Sequence, residues 1–314
     1  MWLNLSLLIA GLGLLYCGAE GLVRGSSSLA TRFGINPLIV GITIVAYGTS
    51  MPELVVSVQA ALQGSGDIAV GNIIGSNICT IGIVLGVAAL VRPLRIQLQM
   101  LRRHVPLVIF CSIFVTVLLR DARVDRLEGL ILFLGIIAYT AANLQGARQE
   151  SNPDVLKEFS GAAKSRHASV RTDALLVLGG LVGLMLGGDW LLDGAVGLAN
   201  HLQMQEAVIG LTVVAIGTSF PDLMASVVAA ARREPDIAVG NAIGSILFNL
   251  LNALAVAALI RPLNAPGIQF MDCGIMIAMA VMILPLMRTG FILQRWEGGL
   301  FVIVYIVYIF LRWP

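Results

Sequence analysis

The sequence predicts an all-α membrane protein of ten transmembrane helices, arranged as two inverted-topology five-helix repeats. Three observations carry that prediction. Of the 314 residues, 58% are hydrophobic and only 12% are charged, and the mean hydropathy is +0.91, well away from the balance of a water-exposed domain. Apolar runs close to the ~20 residues that a bilayer requires recur along the chain. Finally, residues 1–145 match residues 170–314 without a gap, at a constant offset of 169.

The runs lie at about 3–23, 37–62, 67–91, 104–119 and 127–146 in the first half, and at about 173–192, 206–231, 237–260, 270–287 and 296–313 in the second. Residues 1–23 lack a basic leader and a small-residue cleavage site, so they read as a retained first span. The sequence therefore divides into a first five-span repeat (1–145), a charged linker (146–172) containing Pro153, and a second five-span repeat (173–314). The repeat is strongest from Gly41–Leu94 onto Gly210–Leu263, where 30 of 54 positions are identical. Within it, GITIVAYGTSMPE (Gly41 to Glu53) stands against GLTVVAIGTSFPD (Gly210 to Asp222), and DIAVGNIIGS (Asp67 to Ser76) against DIAVGNAIGS (Asp236 to Ser245).

Five spans per half is an odd number. The second half must then enter the membrane from the side opposite to the first, which makes the halves inverted about an axis in the membrane plane. Charge sets the orientation. With the N-terminus outside, fifteen of the 20 Lys and Arg fall in the inside loops, leaving Arg120, Arg123, Arg126, Arg261 and Arg312 outside. That bias places both termini outside and the linker in the cytoplasm, in the cell inner (cytoplasmic) membrane. The net charge of +2 is used up by this orientation and offers no surface for nucleic acid. Cys17, Cys79, Cys111 and Cys273 all fall within spans without metal-ligand spacing, so they read as packing residues.

Each half carries one carboxylate deep in an apolar run. Pro52 and Pro221 interrupt the second and seventh spans, where a proline removes a helical hydrogen bond and breaks or kinks the helix. The carbonyls released near Ala46 and Ala215 then need a partner, and a cation can be that partner. Glu53 and Asp222 follow the prolines directly, and an ionised carboxylate at that depth needs a cavity or a cation. Thr49 and Ser50 precede Glu53 by four and three residues, and so share its helix face; Thr218 and Ser219 repeat this before Asp222. One turn apart in the third and eighth spans stand Ser76 with Thr80, and Ser245 with Asn249.

Two carboxylates, seven hydroxyls, an amide oxygen and carbonyls form an oxygen-only set suited to a hard cation, Ca²⁺ taking about 6–8 such ligands. A soft metal would want Cys or His. The −2 charge of Glu53 and Asp222 is neutralised by one Ca²⁺ or two Na⁺, and competition for the same oxygens amounts to exchange. The expected partners are thus Ca²⁺, Na⁺ and the lipid bilayer, with no cofactor beyond the ions moved. A passive cation channel would need a filter loop or a ring of subunits that the sequence does not display. An enzyme would need a nucleophile–base pair or metal motif, which is also missing from the sequence. A membrane scaffold would leave the paired carboxylates without a cause.

The paired GTS-x-PE/D motifs followed by GN-x-x-GS resemble the alpha repeats of the sodium/calcium exchangers, in the cation/calcium exchanger superfamily, over essentially the whole chain. The resemblance implies ten spans, a central site with calcium and sodium positions, and alternating access in which spans 1 and 6 slide across the other eight. By motif position it implies ligands at Thr49, Ser50, Glu53 and Ser76, at Thr218, Ser219, Asp222 and Ser245, and at the carbonyls of Ala46 and Ala215. Two positions depart from the pattern: Thr80 stands where the family commonly has Asn, and Asn249 where close archaeal and potassium-dependent relatives have Asp. The second change disfavours potassium coupling. The proton/calcium branch places a Glu after its GN motif, which Gly75-Ser76 and Gly244-Ser245 do not. The expected function is a secondary antiporter exchanging Na⁺ for Ca²⁺, with a proton- or potassium-coupled exchanger as the alternative.

Other polar residues have plainer readings. Asp67 and Asp236 are placed to cap the third and eighth spans. Gly71, Gly75, Gly240 and Gly244 suit close helix packing, Asn72 and Asn241 interhelical hydrogen bonds. Glu20 and Asp189 suit either the ion passage or the water interface.

Overall fold

The computed structural model describes residues 2–149, 169–201 and 215–312. The first half comprises α1 (Trp2–Phe33), α2 (Pro37–Thr49), α3 (Met51–Gln63), α4 (Gly66–Val91), β1 (Leu94–Arg95), α5 (Met100–Asp121), β2 (Arg123–Val124) and α6 (Arg126–Gln149). The second comprises α7 (Val170–His201), α8 (Ala215–Thr218), α9 (Phe220–Ala231), α10 (Pro235–Ile260), β3 (Leu263–Asn264), α11 (Phe270–Arg288), β4 (Ile292–Leu293) and α12 (Arg295–Arg312). Seven of these helices are long and apolar enough to cross a bilayer, and the α2–α3 pair, bent by 44°, makes an eighth. Of the expected seventh span, only residues 215–231 are described. The 18 residues of α12 carry Arg295, Glu297 and Arg312 at their ends.

Several boundaries differ from expectation. α1 continues ten residues past the expected end at 23, because Arg24 pairs with Glu20 one turn back and the Gly25–Ser28 stretch stays helical. It stops at Gly34, which takes φ +64°, and Asn36 caps the next helix by accepting from Leu38 N at 3.0 Å. The expected linker 146–172 loses both ends to helix, since α6 runs to Gln149 and α7 starts at Val170. Pro153 and the rest of 150–168 lie outside the described residues. Asp67 is not a cap: Ser65 holds the N-cap position, and Asp67 Oδ1 instead accepts from Gly267 N at 2.7 Å. Glu234, not Asp236, holds the N-cap position of α10.

The halves interlock through loops assigned to the same side. β1 pairs antiparallel with β4, and β2 with β3. Arg126 Nη2 donates to Ile260 O and Arg295 Nη2 to Val91 O, each at 3.3 Å. Ile96 N donates to Phe291 O and Ala265 N to Ala122 O, each at 2.8 Å. Every contact in these pairs maps onto its partner under the offset of 169.

α4 and α10 are the most deeply buried spans. Glycine lets α2 lie directly on α10: a Cβ on Gly240 would sit 2.9 Å from Leu38 O, and one on Gly244 2.5 Å from Ile42 O. The counterparts of those α2 residues fall largely outside the described residues, and with them the expected packing of Gly71 and Gly75. α1 and α7 form a second close pair through glycines seven residues apart. A Cβ on Gly18 would lie 2.7 Å from Leu184 N, and one on Gly187 2.7 Å from Leu15 N. Cys79, Cys111 and Cys273 are buried and free, whereas Cys17 is free on the exposed face of α1.

Candidate cation site

Each helix break is a single residue wide. Ser50 (φ −90°, ψ 9°) and Ser219 (φ −87°, ψ 2°) leave the helical region, and Pro52 and Pro221 then occupy the first turns of α3 and α9. The break does not release the Ala46 carbonyl as expected. Ser50 N still donates to Ala46 O at 3.0 Å, and Gly48 O also keeps a backbone donor. A cation could therefore use only the second lone pair of Ala46 O. Ala215 occupies the matching position at the start of α8.

Glu53 and Asp222 are fully buried and within electrostatic reach of each other. Ser219, three residues before Asp222, donates across the halves to Glu53 Oε1 at 3.3 Å. Ser245 Oγ donates to Asp222 Oδ1 at 3.0 Å. The Thr49 hydroxyl has three acceptors in range, Val45 O at 2.9 Å, Ala46 O at 3.3 Å and Asn241 Oδ1 at 3.0 Å. Its one proton satisfies one of them and leaves its lone pairs available. Ser76 and Thr218 are also buried.

A matched cradle holds each carboxylate's backbone. Asn72 Nδ2 donates to Glu53 O at 3.1 Å and to Ser57 Oγ at 2.9 Å. Asn241 Nδ2 donates to Asp222 O at 3.1 Å and to Ser226 Oγ at 2.9 Å. The sequence reading missed Ser57 and Ser226. They are identical under the repeat and stand four residues after the carboxylates, and that signal could have found them.

Thr80 and Asn249 each open a π-helical turn, Thr80–Leu85 and Asn249–Ala253. Such one-turn insertions recur at functional sites because they re-aim side chains. The first turn packs against α9 and α10, the second against α3 and α4. Among the described residues, nine buried side-chain polar atoms lack a hydrogen-bond partner, and five are Ser50 Oγ, Glu53 Oε2, Thr80 Oγ1, Asp222 Oδ2 and Asn249 Oδ1. All five are oxygens and all belong to the expected ligand set. Leaving a buried acceptor unpaired costs about 1–3 kcal/mol, and more for a charge, so five in one region call for a positive partner. Among the described residues no cluster of three or more His, Cys, Asp or Glu is placed to hold a metal. The donor set is thus two carboxylates and neutral oxygens, chemistry that fits a hard cation as cargo.

Glu20 is not part of this set. It is paired with Arg24 on its own helix and with Arg232 at the end of α9. Its repeat-mate Asp189 is exposed on α7.

Comparison with known proteins agrees with this geometry. A family profile described as sodium/calcium exchanger protein matches residues 3–145 and 172–313. The chain is 28% identical to the sodium/calcium exchanger MaX1 of Methanosarcina acetivorans over 340 residues, covering 98% of this chain and 97% of that protein. It is 39% identical to the inner membrane protein YrbG of Escherichia coli over 265 residues, covering 83% of this chain and 81% of that one. A structure of the sodium-calcium exchanger NCX_Mj, soaked with 10 mM Na⁺ and 10 mM Sr²⁺, superposes with a TM-score of 0.85 at 31% identity, covering 98% of this chain and 97% of that chain. With the family profile spanning both halves, the chain belongs to the sodium/calcium exchanger family, as a prokaryotic-type multi-pass member of the cation/calcium exchanger superfamily.

Proposed function

We propose that this exchanger couples Ca²⁺ movement in one direction to Na⁺ movement in the other, by alternating access at Glu53 and Asp222. The reading rests chiefly on one observation: two fully buried carboxylates, each with one oxygen that lacks a donor, together with buried oxygens of Ser50, Thr80 and Asn249 that also lack one. Thr49, Ser50, Ser76, Thr80, Thr218, Ser219, Ser245 and Asn249 complete the coordination, with Ala46 and Ala215 contributing carbonyl oxygens. Ten spans in two inverted repeats place this site mid-membrane, with both termini outside the cytoplasmic membrane and the linker within the cell.

Exchange follows from electrostatics. The loaded site is near neutral with one Ca²⁺ or two Na⁺, but −2 when empty. Carrying that charge through the occluded state in a low dielectric is strongly disfavoured, so the protein reorients only when loaded. An ion released on one side must be replaced before the site can return. Extrusion of Ca²⁺ then draws on the Na⁺ gradient.

The test is Ca²⁺ uptake into vesicles containing the purified protein. Uptake that requires internal Na⁺ and collapses when Na⁺ is equal on both sides supports the proposal. Uptake driven by a pH step alone or requiring K⁺ overturns the Na⁺ coupling, and single-channel currents would overturn exchange itself.

A further inference from the structure

Asn77 interrupts one of the best-matched stretches of the repeat. From Gly71 to Ser76 the chain differs from Gly240 to Ser245 at one position, yet the next residue is Asn77 in the first half and Ile246 in the second. Asn77 is fully buried on α4. Its Oδ1 accepts from Asn249 Nδ2 at 3.3 Å across the halves, and its Nδ2 points at Met276 Sδ of α11 at 3.9 Å.

We infer that Asn77 is a positioning residue, which fixes the Asn249 amide so that its carbonyl oxygen faces the cation. This rests on the site assignment proposed above. An amide has a donor end and an acceptor end, and only the acceptor end can serve a cation. With Asn249 Nδ2 engaged by Asn77, Asn249 Oδ1 is the end left buried and without a donor. Turning the Asn249 amide over would oppose two carbonyl oxygens and aim an NH₂ group at the ion. The Met276 thioether, an acceptor only, sets the direction of the Asn77 amide in turn. The relay therefore runs one way, from sulfur to Asn77 to Asn249 to cargo.

The same logic explains the other half. Thr80, the repeat-mate of Asn249, carries a hydroxyl that rotates to present a lone pair without help, so the repeat-mate of Asn77 can be the apolar Ile246. An amide at this corner needs an orienter, and a hydroxyl does not.

The test is a double-substitution cycle read as the apparent KM for Ca²⁺ and for Na⁺ in vesicle exchange. Asn77→Ile should raise the KM values by about 10-fold, the scale for groups that orient a metal ligand. In an Asn249→Thr background, where the ligand orients itself as Thr80 does, the same change should shift them by less than about 2-fold. Equal effects in both backgrounds, or no effect in the original chain, would overturn the inference. Asn77→Ser goes through the same cycle should the isoleucine variant fail to fold. Glu53→Gln is measured alongside. If that variant still exchanges ions, the site assignment itself fails; if it is dead and the cycle is additive, only the role of Asn77 falls.

Discussion

The two carboxylate cradles are near copies, whereas the corners one turn beyond Ser76 and Ser245 are not. Asn72–Ser57–Glu53 and Asn241–Ser226–Asp222 repeat the same bonds at the same distances. Thr80 and Ile246 instead stand where the other half has Asn249 and Asn77, different chemistries at matching repeat positions. The ends of the α1–α7 pair differ in the same way. At one end α1 is tied down by Glu20 with Arg232, by Ser27 Oγ donating to Glu234 Oε1 at 2.7 Å, and by Arg32 with Asp173 at 3.2 Å. Under the offset of 169, Glu20 becomes the exposed Asp189, Arg232 becomes Gln63 and Ser27 becomes Val196. Symmetry is kept where charge must be held and helices must approach. It is relaxed where one ligand position, or one end of the bundle, can be tuned by itself.

The sharpest way to break this comparison is to remove one charge. Glu53→Gln and Asp222→Asn should each abolish Na⁺-dependent Ca²⁺ uptake, by at least about 100-fold, since each halves the charge facing a divalent ion. Normal uptake by either variant would show that the halves do not share the ion. Next comes the glycine seam. Gly187→Val places a branched side chain where a Cβ already meets Leu15 N at 2.7 Å, and should cost about 1–3 kcal/mol of stability, read as a lower melting temperature in detergent. A Cβ on the exposed Gly179 would meet nothing within 4 Å outside its own helix, and Gly179→Ala should leave that temperature unchanged or raise it slightly.

The cradles come third. Asn72→Leu and Asn241→Leu should each weaken Ca²⁺ binding by about 10-fold. The Asn241 variant should be the worse, because Asn241 also receives Thr49 from the other half. Titration of Ca²⁺-induced thermal stabilisation would rank them, and equal losses would assign Thr49 no part in joining the halves. Asn249→Asp adds a third carboxylate and should strengthen cation binding or introduce K⁺ dependence; an unchanged ion profile would remove Asn249 from the ligand set. The smallest loss belongs to the partly exposed ion pair: Arg232→Gln should lower stability by about 0.5 kcal/mol, the scale of such pairs.

Much of this was legible in the sequence. Composition and run length located the eight spans described above, and the exact offset paired Thr49, Ser50 and Glu53 with their mates. Prolines in mid-run marked the breaks at Ser50 and Ser219. The π turns at Thr80 and Asn249 left no trace, because apolar residues surround both and an inserted residue does not disturb a pattern without polar faces. The fate of Asp67 was also hidden: its partner, Gly267 N, lies 200 residues away, and local capping rules read only the neighbouring turn. Glu20 could not be assigned, since whether a carboxylate near a span end faces an ion or an arginine depends on which helix packs beside it. Asn77 escaped because the repeat drew attention to identities, and its importance lies in a difference.

The central claim is that Glu53 and Asp222 together hold the transported cation, and anomalous scattering tests it most directly. Crystals soaked in Sr²⁺ should give a single strong peak within about 2.3–2.6 Å of oxygens from both carboxylates, which fades as Na⁺ replaces Sr²⁺. A peak bound to one carboxylate alone, or one that Na⁺ cannot displace, would contradict the account.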